Sequence, residues 1–345
     1  MRKIQEADLE NKKVLLRVDF NVAIENGRAK ETFKIKAAKE SLDYLLSKKA
    51  KVALVSHLGR PEGKINPEFS LGQIADDVKE LLGVEVEFIP DCIGEKVLES
   101  LNSLNANGVL LLENVRFYPG EEDNDLEFSD KLAENFDIYI NDAFSVSHRN
   151  QASVTGVTKF IPSYAGFRLQ EEVSEMTIVK EHPIVPAVAI IGGAKIETKL
   201  PVIKFFESKY DYVLVGGKIA NEALDEKIEF SDKVILPVDF IDDRFDIGPK
   251  TLAKFKEIIM QAKTVVWNGP TGKFEDEKYA VSSNEILEAV LASGAYVLIG
   301  GGETLEILEL NSAMEKIDFV STGGGAMLDY LSGEKMPGIE VLLQC

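Results

Sequence analysis

Two glycine-rich stretches near the C-terminus have the residue types and spacing of phosphate-binding loops. Residues 295–304 read AYVLIGGGET and residues 318–326 read DFVSTGGGA, so in each case an apolar run leads into three glycines. Glycines let the backbone approach a ligand closely, and a helix that starts after them presents free N–H groups and a partial positive charge. This arrangement suits a phosphate group, and Glu303 adds a carboxylate that could bind a metal ion.

A phosphate ligand would need local positive charge, because the chain as a whole is acidic. Its 345 residues carry a formal net charge of −19, with three histidines and two cysteines. This charge argues against nucleic acid or an anionic membrane surface as the main partner. Cys92 and Cys345 are too few for a disulfide framework, which favours a reducing cytoplasm, and no apolar run approaches the ~20 residues of a membrane span. We therefore expect a cytoplasmic protein whose basic residues are clustered.

Strand-like runs alternate with amphipathic helical runs along most of the chain. The first half contains five such strands, at 14–18, 51–55, 84–88, 108–112 and 137–141, and the second half contains six, at 186–191, 211–215, 233–238, 263–267, 295–299 and 318–321. Alternating order with continuously apolar strands predicts an α/β protein with parallel sheets covered on both faces. We expect two doubly wound, Rossmann-like domains, at 1–155 and 186–332, joined by a hinge helix within 156–185.

The loops that follow the predicted strands differ in chemistry between the two halves. Ligands of parallel α/β sheets bind at the carboxyl ends of the strands, so these loops should line the sites. In the first half they carry Asp19, Asn21, His57, Arg60, Arg116, His148 and Arg149. In the second half they are rich in glycine, at residues 192–199, 216–218, 268–275, 300–304 and 321–325. Any one of these residues is common in a structural role, but their segregation by half favours two distinct anion-binding edges.

Ten collinear motifs carry a resemblance to one known family. They are LLRVDFNV, SHLGRP, LLENVRFYPGEE, NDAF followed by HR and AS, IIGGAKIETK, GG-x-x-A-N, DIGPKT, VVWNGPTGKFE, GGGET and STGGGA. Together they resemble the phosphoglycerate kinases over nearly the whole chain. No P-loop of the form G-x-x-x-x-G-K-[ST] is present, and no G-x-G-x-x-G follows a strand, so the common nucleotide signatures offer no simpler explanation.

The resemblance implies a monomeric enzyme of glycolysis and gluconeogenesis. Such an enzyme transfers a phosphoryl group reversibly between 1,3-bisphosphoglycerate with ADP and 3-phosphoglycerate with ATP, and it requires Mg²⁺. Its N-terminal domain binds 3-phosphoglycerate, its C-terminal domain binds the Mg-nucleotide, and closure of the hinge brings the two ligands together. The C-terminal tail, 333–345, is expected to return to the N-terminal domain.

The resemblance also implies a role for each matching residue. The substrate-binding residues would be Asp19, Asn21, Lys34, His57, Arg60, Arg116, His148 and Arg149. The nucleotide-binding residues would be Gly193, Lys199, Gly216, Gly217, Asn268, Glu275, Gly301, Gly302, Glu303 and Thr304, with Glu303 as the metal ligand. The catalytic residues, which contact the phosphoryl group as it is transferred, would be Lys34, Lys195, Lys199, Gly323 and Gly324.

Several positions depart from the family pattern. Lys34 replaces an arginine, Glu303 replaces an aspartate, Lys273 replaces a valine near the base, and the segment between residues 220 and 246 is shortened. Lysine keeps the charge of arginine but loses its planar, bidentate fork. Two alternatives therefore remain open: a non-catalytic relative that serves as a ligand-binding sensor or scaffold, and a kinase for a different small carboxylate.

Overall fold

Two parallel six-stranded sheets form the framework of the chain. The computed structural model describes residues 1–105 and 108–343, so Cys345 lies outside the described residues. The chain divides into unit 1, comprising Met1–Val173 and Lys335–Cys345, and unit 2, comprising Ser174–Glu334. The predicted fold class, an α/β protein with two doubly wound parallel sheets, is confirmed.

The sheet of unit 1 has the strand order β5-β6-β4-β1-β7-β8, and all of its pairs are parallel. The strands of this unit are β1 (Lys13–Arg17), β2 (Ile24–Glu25), β3 (Arg28–Ala29), β4 (Lys51–Val55), β5 (Val86–Ile89), β6 (Val109–Leu112), β7 (Ile138–Asn141) and β8 (Ser163–Ala165), of which β2 and β3 form a separate hairpin. The sequence predicted five sheet strands and missed β8. That strand has three residues, which is too short for hydrophobic periodicity to reveal.

Helices cover both faces of this sheet, as its buried central strands β4, β6 and β7 require. The helices are α1 (Phe33–Ala37), α2 (Lys39–Ser47), α3 (Ala75–Leu82), α4 (Glu95–Ser103), α5 (Pro119–Glu122), α6 (Leu126–Ala133) and α7 (Phe167–Glu181). Successive residues of β1 point to opposite faces, so that Leu16 belongs to one hydrophobic core and Leu15 to the other. The division between the units falls inside α7.

The sheet of unit 2 has the order β11-β10-β9-β14-β15-β16 and is also parallel. Its strands and a short hairpin are β9 (Ala187–Ile191), β10 (Tyr212–Val215), β11 (Val234–Ile235), β12 (Phe240–Ile241), β13 (Asp246–Ile247), β14 (Thr264–Asn268), β15 (Tyr296–Ile299) and β16 (Phe319–Val320). The helices are α8 (Ile196–Lys209), α9 (Gly217–Asp225), α10 (Pro249–Ile259), α11 (Val281–Ser293), α12 (Gly302–Leu310) and α13 (Gly324–Ser332). The predicted strand at 233–238 shrinks to two residues at the sheet edge, where Pro237 lacks the N–H group that a longer pairing would need.

The side of the sheet to which successive strands are added changes between β9 and β14 in unit 2 and between β1 and β7 in unit 1. Such switch points open a crevice at the carboxyl ends of the strands, where ligands bind. The last helix, α14 (Pro337–Leu343), belongs to unit 1, where the amide of Gly338 donates to the carbonyl of Ser147 at 2.9 Å. No helix in residues 1–105 and 108–343 is both long and apolar enough to cross a membrane.

A buried charged network ties the end of β1 to the segment after β7. The Arg17 side chain is fully buried, and its Nε donates to Ser153 Oγ at 3.0 Å. Ser153 in turn donates to both carboxylate oxygens of Glu121, from its hydroxyl at 2.6 Å and from its backbone amide at 2.8 Å. Burial raises the pKa of Glu121, and the charge of Arg17 counters that effect. Ser153 therefore connects the Nε of the buried Arg17 to the buried carboxylate of Glu121.

We predict that Ser153→Ala destabilises the chain by about 2 kcal/mol, because it leaves Arg17 Nε and one oxygen of Glu121 buried without a hydrogen bond. Ser163→Ala is the matched control. Ser163 is equally buried, but its hydroxyl donates only to the backbone carbonyl of Ile161, so its loss should cost about 1 kcal/mol or less. Urea unfolding measures both values, and equal losses in the two variants would contradict the role given to Ser153.

Candidate functional site

Three loops of unit 1 are joined by hydrogen bonds at the carboxyl edge of the sheet. The amide of Gly59, after β4, donates to Asn21 Oδ1, after β1, at 2.9 Å. The carbonyl of Gly59 accepts a hydrogen bond from Arg116 Nη1 at 2.7 Å, and Arg116 follows β6. The structure therefore brings these predicted substrate-binding residues together around Gly59.

Arg116 is a buried cation whose hydrogen-bonding capacity is only partly used. Its side chain is 2% exposed, and among the described residues its Nη2 has no hydrogen-bond partner. The carboxylate of Glu122 lies 3.6 Å from Nε. Burial and then the charge of Arg149 lower the pKa of Arg116 to about 10, so the guanidinium is still charged at neutral pH. A buried guanidinium group with an unpaired N–H favours the binding of an anion.

His57 contributes a hydrogen-bond donor rather than a charge. Its Nδ1 accepts from Arg17 Nη2 at 3.2 Å, which leaves the proton of the neutral ring on Nε2. Burial, followed by the charges of Arg17 and Arg116, holds the pKa of His57 well below its usual value. The ring is therefore neutral at physiological pH.

Lys34, on α1, is held in the same region as Asp19 and Asn21. Its Nζ donates to the carbonyl of Asn21 at 2.9 Å and lies 3.6 Å from Asp19 Oδ2. The backbone amide of Asn21 donates to the other oxygen of Asp19 at 3.0 Å. The lysine that departs from the family pattern thus remains within the cluster of predicted substrate-binding residues.

Three predicted residues of unit 1 remain, and they lie at the more open side of this cluster: Arg60, His148 and Arg149. Arg149 Nε donates to His148 Nε2 at 3.3 Å. Burial and then the charge of Arg60 lower the pKa of Arg149, so the two guanidinium groups are close enough to interact. Arg60 itself is exposed. We call the cluster of Asp19, Asn21, Lys34, His57, Arg60, Arg116, His148 and Arg149 the basic site.

In unit 2, a cavity of about 440 Å³ lies at the N-termini of α12 and α13. Gly301 and Gly323 are the N-cap residues of these helices, and neither N-terminus is capped by a side chain. Gly301 has a φ of +105°, and a Cβ on Gly324 would lie 2.8 Å from the Cα of Gly301, so both positions require glycine. The cavity is lined by the predicted residues Lys199, Asn268, Gly301, Gly302, Glu303, Thr304 and Gly324, and we call it the phosphate cradle.

Lys199 supplies the positive charge of the phosphate cradle. Its Nζ donates to Asn268 Oδ1. Burial lowers the pKa of Lys199 to about 8, and the charge of Glu303 partly offsets that effect. Thr304, which was predicted to bind phosphate, also has a local role, because its hydroxyl accepts from the amide of Gly269 at 2.7 Å and fixes the loop after β14.

A second cavity of about 470 Å³ shares Glu303 with the phosphate cradle. It is lined by the predicted residues Gly193, Gly217 and Glu275, and by the unpredicted Arg244 and Phe245. The pKa of Glu303 is raised by burial and then by the charge of Glu275. A nearby cation would stabilise a carboxylate that is partly desolvated and close to another negative charge. Glu303 is therefore the residue best placed to hold a metal ion.

Some predicted residues do not line either cavity. Gly216 and Gly323 are N-cap residues beside the walls, and neither contributes to the lining. Lys195 is the N-cap of α8, with a φ of 68°, and it is likewise outside both linings. Phe245 was missed because a single aromatic residue in a polar loop gives no periodic signal. Its position between two short hairpin strands is visible only in the fold.

Comparison with known proteins identifies the family. A family model described as phosphoglycerate kinase matches residues 4–229 and 227–334. The phosphoglycerate kinase of Coprothermobacter proteolyticus is 37% identical over 388 residues, with 99% of each chain covered. That of Desulforapulum autotrophicum is 39% identical over 394 residues, with 99% of this chain and 100% of the relative covered.

Solved structures of phosphoglycerate kinases agree with the sequence comparisons. The enzyme from Pyrococcus horikoshii superposes with a TM-score of 0.89 at 29% identity, covering 99% of this chain and 98% of that chain. The enzyme from Coxiella burnetii has a TM-score of 0.84 at 34% identity, with the same coverage.

The comparisons also bear on the shortened segment of unit 2. The alignment with the Coprothermobacter protein has 388 positions against 345 residues here, so at least 388 − 345 = 43 positions are gaps in this chain. The match to the family model is broken between residues 227 and 229, just after α9 ends at Asp225. This break lies inside the segment predicted to be short. Matches of this extent, in sequence and in structure, confirm what the ten motifs indicated: the chain belongs to the phosphoglycerate kinase family.

Proposed function

We propose that this chain catalyses the reversible transfer of a phosphoryl group between 1,3-bisphosphoglycerate with ADP and 3-phosphoglycerate with ATP, in glycolysis and gluconeogenesis. Membership of the family makes it a phosphotransferase with a carboxyl group as acceptor. One observation carries the proposal: the chain has two clusters of hydrogen-bond donors suited to anions, one built from buried side-chain cations and one from backbone N–H groups at helix N-termini.

The basic site is proposed to bind 3-phosphoglycerate. Arg116 has a free Nη2 to donate, and His57 has its Nε2–H, so both can bind the negatively charged ends of the substrate. Arg60, His148 and Arg149 add further donors at the open side. Asp19 and Asn21 supply acceptors for the hydroxyl group. In this proposal the substrate domain is 1–155 with the tail 333–345, joined through 156–185 to the nucleotide domain, 186–332.

The phosphate cradle is proposed to bind the nucleotide phosphates, and the second cavity the ribose and base. Free N–H groups at the N-termini of α12 and α13 suit phosphate oxygens. The N-terminus of α9, at Gly216 and Gly217, and the turn at Gly193 provide further backbone approach. Glu275, at the wall of the second cavity, is assigned to the ribose hydroxyl groups.

Glu303 is proposed to hold Mg²⁺ together with the nucleotide phosphates. Among the described residues, no group of three or more acidic, histidine or cysteine side chains could hold a metal by itself. That suits Mg²⁺, which usually binds through one or two carboxylates and the substrate phosphates. The raised pKa of Glu303 supports the fit, because a cation would relieve the repulsion from Glu275. When bound, the ion would help to neutralise charge on the phosphates.

The reaction needs alignment and charge compensation rather than a protein nucleophile. The attacking oxygen is already anionic, so no general base is required, and positively charged side chains and N–H groups stabilise the equatorial oxygens of the moving phosphoryl group. We assign this role to Lys34, Lys195, Lys199 and the N–H groups at Gly323 and Gly324. Because both ligands must meet in line, we propose that the hinge segment, 156–185, permits closure during turnover.

We place the enzyme in the cytoplasm as a monomer that acts on small molecules, which agrees with its acidic surface and low cysteine content. Nothing in the described residues favours the two alternatives. Lys34 is the departure that raised both alternatives, and it still donates to the carbonyl of Asn21 within the basic site.

The activity is tested by coupling 3-phosphoglycerate and MgATP to a dehydrogenase that reports the acyl phosphate. We predict turnover by the wild-type chain and a loss of at least about tenfold in kcat/KM for 3-phosphoglycerate in Arg116→Lys, since lysine retains the charge but cannot donate from a second nitrogen. Arg28→Lys is the control, because Arg28 is exposed and pairs with Glu80. An inactive wild-type chain, folded by circular dichroism, would contradict the proposal.

Lys34→Arg should raise kcat, because a planar fork can donate two hydrogen bonds where the ammonium group makes point contacts. Lys36→Arg, on the same helix, is the control and should leave kcat unchanged. The measurement is steady-state kinetics with both substrates saturating. An unchanged or lower kcat in Lys34→Arg would mean that Asp19 and Asn21 form a pocket adapted to lysine.

The low pKa of Lys199 predicts a pH dependence of nucleotide binding. Only the protonated form attracts phosphate, and burial lowers its pKa to about 8, so ADP affinity should fall as the pH rises through that value. The limit is about tenfold per pH unit. Calorimetry between about pH 7 and pH 9.5 measures the effect. Lys199→Met should bind more weakly and show no such fall, and a fall of the same size in that variant would refute the assignment.

A further inference from the structure

The second cavity of unit 2 adjoins the phosphate cradle, because Glu303 lines both cavities. A nucleotide whose phosphates lie at the N-terminus of α12 would therefore extend its base into the second cavity. Phe245 and Pro270 give that cavity apolar surface suited to a planar ring. This step rests on the proposed function, because it takes the ligand of the phosphate cradle to be a nucleotide.

The cationic side chains on the wall of this cavity differ in how far they are already paired. Lys218 lies 3.8 Å from a carboxylate oxygen of Glu222, and Arg244 forms an ion pair with Asp225 at 2.7 Å. Among the described residues, the ammonium group of Lys273 has neither an ion pair nor a hydrogen bond, and its Nζ lies 5.7 Å from the ring centroid of Phe245. Lys273 thus presents an available donor beside the aromatic surface of the cavity.

The identity of the base decides whether such a donor is useful. Guanine carries acceptors at both O6 and N7, and lysine or arginine donating to this pair is a common specific contact with that base. Adenine carries an amino group at the same position as O6, and the hydrogens of that group repel an ammonium ion. An ammonium group with no acceptor in the protein therefore favours guanine over adenine.

We propose that Lys273 is a specificity-determining residue that makes this site bind a 6-oxopurine nucleotide, such as a guanine nucleotide, at least as tightly as the adenine nucleotide of the proposed reaction. Of the three cationic side chains on this wall, Lys273 is the one without a carboxylate partner among the described residues.

Calorimetric titration with ADP and with GDP tests the proposal on the full chain. The wild type should bind GDP at least as tightly as ADP. Lys273→Met keeps the length and the packing on Phe245 but removes the donor, so it should shift the ratio of the two dissociation constants toward ADP by about fivefold or more. Lys218→Met is the matched control: it removes one charge from the same wall and should leave the ratio unchanged.

A wild type that prefers ADP, with a ratio that Lys273→Met does not change, would overturn the proposal, and so would failure of both nucleotides to bind. An equal shift in Lys218→Met would also overturn it, because the effect would then be one of general charge. The readout is binding, so a chain that shows the predicted shift but no turnover counts against the proposed activity and supports the role of Lys273.

Discussion

A chain with a formal net charge of −19 can bind phosphates only where local groups outweigh its overall repulsion. The rest of the structure depends on this constraint. It explains why cations are withdrawn from solvent at the carboxyl edge of one sheet, and why helix N-termini without capping side chains gather at the same edge of the other. Burial strengthens each of these interactions, because the effective dielectric constant is lower than in water.

The two sites meet the constraint in different ways. The basic site relies on guanidinium groups, which keep their charge even when burial lowers the pKa, as it does for Arg116. The phosphate cradle relies on fixed backbone dipoles and on one lysine, and a buried lysine loses its charge more readily. The nucleotide side should therefore be the more sensitive to alkaline pH. The buried link from Glu121 through Ser153 to Arg17 reaches His57 of the basic site, and it leaves Arg116 Nη2 unused.

The sequence was sufficient for the fold class and for the chemistry at the strand ends, because parallel strands must be apolar and their loops must then carry the polar residues. It was not sufficient for features that tertiary contacts create. Ser163–Ala165 forms a strand only because β7 is beside it. The bond from Arg17 to Ser153 joins residues 136 positions apart, and no local pattern indicates it. The place of Phe245 in the second cavity likewise depends on a tertiary contact, because its carbonyl accepts a hydrogen bond from the amide of Lys273 at 2.8 Å.

If the basic site binds 3-phosphoglycerate and the phosphate cradle binds ATP, the chain forms an acyl phosphate from the two. Hydroxylamine traps such a product as a hydroxamate, which can be measured directly. We predict that hydroxamate accumulates only when the folded chain, 3-phosphoglycerate, ATP and Mg²⁺ are all present. Absence of hydroxamate under these conditions, on protein shown to be folded, would contradict it.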